Sequence, residues 1–85
     1  MFYTYILRSK KDGNLYIGYT NDLRRRIKEH SSGDTRSLKS RRPLELIYYE
    51  AYKAQEDAER REEMLKSRSH ALGGLKRRLA KSLES

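Results

Sequence analysis

Five side chains spread along the 85 residues have the types needed to hold a phosphate and move a proton: Tyr5, Tyr16, Arg26, His30 and Glu62. A guanidinium suits bidentate contact with a phosphate, and an imidazole beside it can donate a hydrogen bond or carry a proton. Arg26 and His30 are four residues apart, so in a helix they stack on one face. A carboxylate at an apolar border can hold a hard cation through oxygen. Glu62 has that setting, four residues after Ala58 and three before Leu65. Taken singly, each has an ordinary explanation: Tyr is a common strand residue, Arg24-Arg25-Arg26 reads as a solvated run, and Glu62 can pair with a neighbouring Arg or Lys.

The elements that must position these groups follow from hydrophobic patterning. Residues 2–8 are aromatic and β-branched, without Gly or Pro, and read as a strand. Asp12-Gly13 is suited to a tight hairpin, with residues 15–20 as the return strand. Pairing Lys11 with Asn14 sets Leu7 opposite Gly18 and Ser9 opposite Tyr16. Side-chain alternation then puts Tyr3, Tyr5, Tyr16 and Gly18 on one face, and Phe2, Ile6, Ile17 and Tyr19 on the other. Gly18 leaves a gap beside the phenols where a backbone or phosphate can approach.

Asn21 or Asp22 caps a helix running to about Ser31. Arg24 and Arg26 lie two hundred degrees apart around it, so the three arginines cannot all serve one site. Ser31 to Arg42 reads as a loop or irregular segment ended by Pro43, and residues 44–49 as a third strand. A second helix spans roughly Ala54 to Ser67, with Glu56, Asp57, Glu59 and Glu63 directed mostly to solvent. Gly73-Gly74 is expected to break the chain before a short helix carrying Leu75, Leu79 and Leu83. The order β-β-α-β-α-α predicts an α+β fold, a three-stranded antiparallel sheet flanked by helices, as a single domain over residues 1–85.

Composition narrows the partner. Twenty Lys and Arg against twelve acids give a net charge of +8, which points to a polyanion. A basic membrane helix would carry Trp, Phe or Leu opposite its charges, and the chain has no Trp and one Phe. There is no cysteine, which excludes disulfides, thiolate catalysis and cysteine-based zinc sites. With no signal-peptide pattern and no apolar run of membrane-spanning length, the expected location is the cytoplasm. Arg24, Lys39, Arg41, Arg42, Lys76, Arg77 and Arg78 are read as nucleic-acid backbone contacts, which confer salt-sensitive affinity rather than sequence choice.

Tyr3-Thr4-Tyr5, ten intervening residues, Tyr16-Ile17-Gly18, then Arg26 and His30 together resemble the core of the GIY-YIG nuclease superfamily. Ala58-x-x-Arg61-Glu62-x-x-x-Lys66 is similar to its short, single-domain, excinuclease-C-like branch, the UPF0213 type. The resemblance covers residues 2–67. It implies an endonuclease that hydrolyses phosphodiester bonds in nucleic acid, DNA in preference to RNA, with a role in repair or recombination. It also implies a Mg²⁺ or Mn²⁺ ion on Glu62, Arg26 and His30 as the helix pair, and Tyr5 and Tyr16 as the motif tyrosines. A phenol with a pKa near 10 is a poor base at neutral pH, and neighbouring positive charge favours the phenolate. Water activation is therefore assigned to Tyr5 or Tyr16 without a choice between them.

Two positions depart from the family pattern. Tyr3 stands where the first motif usually has Gly, and no Asn follows Glu62; the asparagines are Asn14 and Asn21. Two other functions compete with the nuclease. One is a nucleic-acid-binding module with little or no turnover; the other is a subunit whose basic face docks an acidic protein. A protein partner supplying specificity is also expected of so short a chain.

Overall fold

In the computed structural model, which describes residues 1–33, 36–67 and 69–84, three strands form one antiparallel sheet. They are β1 (Phe2–Ser9), β2 (Leu15–Thr20) and β3 (Leu44–Tyr52), in the spatial order β2-β1-β3. Helix α1 (Leu23–Ser32) follows β2, and α2 (Gln55–Ser67), α3 (Ser69–Arg78) and α4 (Ala80–Glu84) follow β3. A short 3-10 helix, Arg36–Arg41, occupies part of the segment expected to be irregular. Residues 34 and 35 of that segment lie outside the described residues. The α+β architecture expected from the sequence is the architecture found.

The hairpin turns one residue earlier than the expected two-residue loop, and the loop is longer. Ser9 N–H donates to the Asn14 carbonyl and Gly13 N–H to the Ser9 carbonyl, closing a four-residue loop. Gly13 takes a left-handed φ of 76° there. The register is thus Tyr5 opposite Gly18 and Leu7 opposite Tyr16, two residues from the expected pairing. A slip of two keeps every side chain on its face, so Tyr3, Tyr5, Tyr16 and Gly18 still share one.

β1, the central strand, is buried on both faces. On the face of Ile6, α2 and α3 supply the core: Ile6, Leu65 and Leu75 are buried, with Ile17, Ile47, Tyr48 and Leu72 packed around them. A bulge in β3, opposite Ile6 and Leu7, accommodates Ile47 as well as Tyr48 on this side. Leu46 and Tyr49 consequently share the opposite face with Tyr5 and Leu7.

Helix α3 runs unbroken through Gly73 and Gly74, contrary to the expected break. Each internal Gly costs roughly 1 kcal/mol relative to Ala. Continuing the helix, however, lets Ala71, Leu72 and Leu75 all reach the core, where each buried aliphatic side chain contributes about 1.5–3 kcal/mol. Packing wins. The helix expected after the glycines is instead divided between the end of α3 and α4. Among the described residues, no helix is long and apolar enough to cross a membrane.

Candidate active site

One cavity of about 690 Å³ is lined by Tyr5, Tyr16, Arg26, His30 and Glu62, the five groups singled out above, together with Gly18, Tyr19 and Lys66. It follows the free edge of β2. Tyr16 and Gly18 contribute from one face of that strand, Ile17 and Tyr19 from the other. α1 brings Arg26 and His30 to the first face, and α2 brings Glu62 to the second.

Each local element has a sequence reason for being where it is. Asp22 caps α1 by accepting from the Arg25 N–H, and Gly33 ends it in the left-handed conformation, returning its N–H to Glu29 and His30 carbonyls. Gly18 is required by Tyr5: a Cβ there would lie 2.6 Å from the Tyr5 hydroxyl oxygen. The glycine gap therefore holds the phenol of the adjacent strand, a narrower role than the open approach expected. α2 is anchored by the Thr4 hydroxyl, which donates to the Ala58 carbonyl at 2.8 Å.

Tyr5 and His30 are both only 4% exposed, and the Tyr5 hydroxyl lies 3.0 Å from His30 Nε2. Burial, reinforced by the Arg26 charge and opposed by Glu29, pushes the His30 pKa below its usual 6.5. His30 is thus a neutral imidazole at neutral pH, with one nitrogen able to accept. Its Nδ1 is buried without a partner among the described residues. The Tyr5 hydroxyl, and secondarily the Glu29 carboxylate, hold Arg26 above the usual arginine pKa against the effect of burial. Arg26 contacts Glu29 at 3.1 Å. Glu29 was missed in the sequence, although its place three residues after Arg26 was a readable signal.

Glu62 is partly shielded, with 18% of its side chain exposed, and Lys66 Nζ stands 3.2 Å from its Oε2. The expected ion pair therefore exists within the same pocket. Nothing else holds this carboxylate among the described residues. One carboxylate opening on a wet cavity fits a Mg²⁺ or Mn²⁺ ion, because a hard cation takes oxygen and Mg²⁺ keeps most of its water. Among the described residues there is no cluster of three or more acidic, His or Cys side chains that could hold a metal ion.

Glu59, expected in solvent, accepts from the Tyr19 hydroxyl at 2.6 Å and from Gln55. That bond raises the Tyr19 pKa. In the hairpin loop, Asp12 has a lowered pKa, chiefly through the Asn14 N–H, with Ser9, Arg41 and the Tyr16 hydroxyl adding to it.

The outlying cations do not form one surface. Arg24 lines a different groove, on the far side of α1. Arg41 pairs with Asp12 at 3.4 Å, Arg42 donates to the Lys39 carbonyl, and Lys39 is exposed beside them. Their segment reaches the cavity through Leu38. Lys76, Arg77 and Arg78 are exposed in the last turn of α3, and Arg78 shares a separate depression with Arg61 and His70.

This chain has counterparts among known proteins. A family model described as the GIY-YIG catalytic domain matches residues 1–78, and the chain belongs to that family. It is a nuclease-like protein. Within the family its relatives are UPF0213 proteins. One from Bacillus pumilus is 41% identical over 66 residues, covering 76% of this chain and 66% of that protein, just under two thirds of its length. One from Streptococcus agalactiae is 37% identical over 68 residues, covering 79% of this chain and 76% of that protein. The solution NMR structure of a UPF0213 protein from Bacillus halodurans superposes with a TM-score of 0.53 at 41% identity, covering 89% of this chain and 86% of that one.

Proposed function

We propose that this protein is an endonuclease that hydrolyses phosphodiester bonds in DNA with a divalent cation, Mg²⁺ or Mn²⁺, in repair or recombination. The observation that supports the reading is the shared cavity: a guanidinium, two phenols, a neutral imidazole and a partly shielded carboxylate line it together. Its likeness to the GIY-YIG family agrees. The lack of cysteine and the net charge of +8 fit a cytoplasmic protein with a polyanionic substrate.

In this reading Arg26 receives the scissile phosphate and offsets its developing charge. Glu62 holds the cation, which when bound stabilises the leaving oxygen. Tyr5 is tied to His30 and Arg26 and almost wholly buried, so it orients those two groups. Tyr16 is only half-buried and has better access to water, so the activating role falls to it. Neutral His30 accepts or returns a proton through Nε2. Arg24, Lys39, Arg41, Arg42, Lys76, Arg77 and Arg78 supply diffuse, salt-sensitive attraction.

The direct test is a cleavage screen of the wild type and Glu62→Ala on single-stranded, duplex and branched DNA with Mg²⁺ or Mn²⁺. Turnover by the wild type alone is expected. Full activity in both Tyr5→Phe and Tyr16→Phe would remove the phenols from the mechanism. A second reading, a binding module without turnover, is favoured by Tyr3 in the first motif and by the missing Asn after Glu62. Salt-sensitive DNA binding with no cleavage under either metal would establish it.

A further inference from the structure

The two faces of the sheet are covered unequally. α2 and α3 close the Ile6 face, whereas among the described residues the Tyr5 face is covered by α1, ten residues long and so about 15 Å, with Leu38 of the 3-10 helix at the cavity end. Part of β3 is left open. Leu46 and Tyr49 are 36% and 52% exposed. With Tyr3, Asn21, Asp22, Leu23, Arg24 and Ile27 they line a groove of about 460 Å³ on the opposite side of α1 from the catalytic cavity. The helix divides the two by its own periodicity: Arg26 and His30 turn to one side, Leu23, Arg24 and Ile27 to the other.

The floor of this groove is aromatic and held in place. Tyr3 and Tyr49 meet edge to face, centroids 6.0 Å apart at 66°. Tyr5, Tyr19, Tyr48 and Tyr52 use their hydroxyls within the fold; among the described residues, those of Tyr3 and Tyr49 have no hydrogen-bond partner. The wall is basic. α1 carries Arg24, Arg25, Arg26 and Lys28 against Glu29 as its one acid, and Arg24, Arg25 and Lys28 are exposed. Glu29 is engaged with Arg25 and Arg26, and Arg24 has no ion-pair partner among the described residues.

A fixed, half-exposed aromatic pair under a basic ridge is the combination that binds single strands, with bases stacking on rings while cations track the backbone. The pairing of exposed Arg24 and Lys28 on the ridge with an open ring on the floor favours nucleic acid over an acidic protein, because together they match a phosphate chain bearing bases. We propose that this groove seats an unpaired base of a strand whose backbone crosses α1 toward the catalytic cavity. The substrate class is then nucleic acid with a single-stranded segment beside the bond to be cut. This rests on the nucleic-acid part of the proposed function and is independent of turnover.

The test is binding, in Glu62→Ala background protein without added metal, to a fluorescent single-stranded DNA oligonucleotide and to a blunt duplex of equal length. Tyr49→Ala is expected to weaken single-strand binding by about tenfold and leave duplex binding within about twofold; Tyr49→Phe keeps the ring and stays near the parent. Arg24→Ala is expected to lower the salt slope for the single strand by about 0.7. Tyr49 is exposed, and a circular-dichroism melt verifies that each variant folds. Equal weakening of both oligonucleotides, no weakening of either, or Tyr49→Phe failing like Tyr49→Ala would overturn the inference. So would unchanged oligonucleotide binding together with loss of self-association in Tyr49→Ala, which would make the groove a protein-docking face. A parent protein that binds neither oligonucleotide defeats the nucleic-acid reading itself, a result distinct from all of these.

Discussion

Two partly shielded carboxylates, Glu50 on β3 and Glu62 on α2, show how the same chemical group is used in opposite ways. Glu50 is saturated. It accepts from the Tyr48 hydroxyl at 2.6 Å, from the Tyr52 hydroxyl, and from Arg61 at 3.0 and 3.1 Å. Burial acts to raise its pKa, but the bonds from Tyr48, Tyr52 and Arg61 prevail and the carboxyl sits below its usual value. Burial and the same carboxylate push both phenols up to about 12. Among the described residues Glu62 has one partner, Lys66, more than half exposed and one helical turn away. A carboxylate with every lone pair engaged ties α2 to the sheet; one held by a single mobile ammonium can exchange it for a metal ion. Arg61 and Glu62 are adjacent in sequence, so the saturated cluster fixes the rotation of the helix that presents the unsaturated one.

The sharpest way to break this contrast is to remove each acid. Glu62→Ala is expected to lower DNA cleavage by at least about 100-fold while leaving the melting temperature within a few degrees. Glu50→Ala strands Arg61 and two phenols and is expected to cost about 3 kcal/mol, a fall of roughly 10–20 °C in Tm for a domain of this size. Thermal melts and a cleavage assay on both variants separate the roles. Equal destabilisation by the two would erase the distinction.

Gly18→Ala attacks the active-site side alone. A methyl 2.6 Å from the Tyr5 hydroxyl must displace the ring, with an expected cost of about 1–3 kcal/mol and loss of the Tyr5–His30 contact, seen as a changed His30 ring shift by NMR.

Acid titration should resolve the two regions by pH. His30 has a folded pKa below 6.5, so the unfolded chain takes up a proton first. Its contribution to stability is full above 6.5 and is lost as pH falls through the lower folded value. Glu50, depressed from 4.5, contributes above 4.5 and loses that contribution further into acid. Tm measured against pH should therefore fall in two stages, and His30→Gln should flatten the upper one only. The smallest effect expected is on Lys66: Lys66→Met removes the competing ammonium and should tighten Mn²⁺ binding about threefold, in keeping with a partly exposed pair worth under 1 kcal/mol. Titration calorimetry reads this directly.

Local chemistry made much of this molecule legible from the residues. Alternation put Tyr3, Tyr5, Tyr16 and Gly18 on one face whatever the register. The start of α1 was expected at Asn21 or Asp22, and Asp22 takes the cap; Gly33, read only as part of a loop, is the residue that ends the helix. The spacing of Ala58, Glu62 and Leu65 set the carboxylate at the margin of a buried stripe. Turn length was less legible, because Ser9 and Asn14 close the loop through backbone bonds that Asp12-Gly13 does not announce. Glu50 lies just past the strand expected over residues 44–49 and was not singled out; its importance lies in Arg61, eleven residues away.

What the sequence determined by itself is whatever depends on neighbours a few residues apart: strand faces, caps, the helical pairing of Arg26 with His30, and the basic charge. The tertiary structure alone decided the bulge that turns Tyr49 outward, the passage of α3 through Gly73-Gly74, and the gathering of β1, β2, α1 and α2 side chains around one cavity. Those outcomes rest on packing between segments far apart in the chain, where burial of a few aliphatic side chains outweighs the local preference of any single residue.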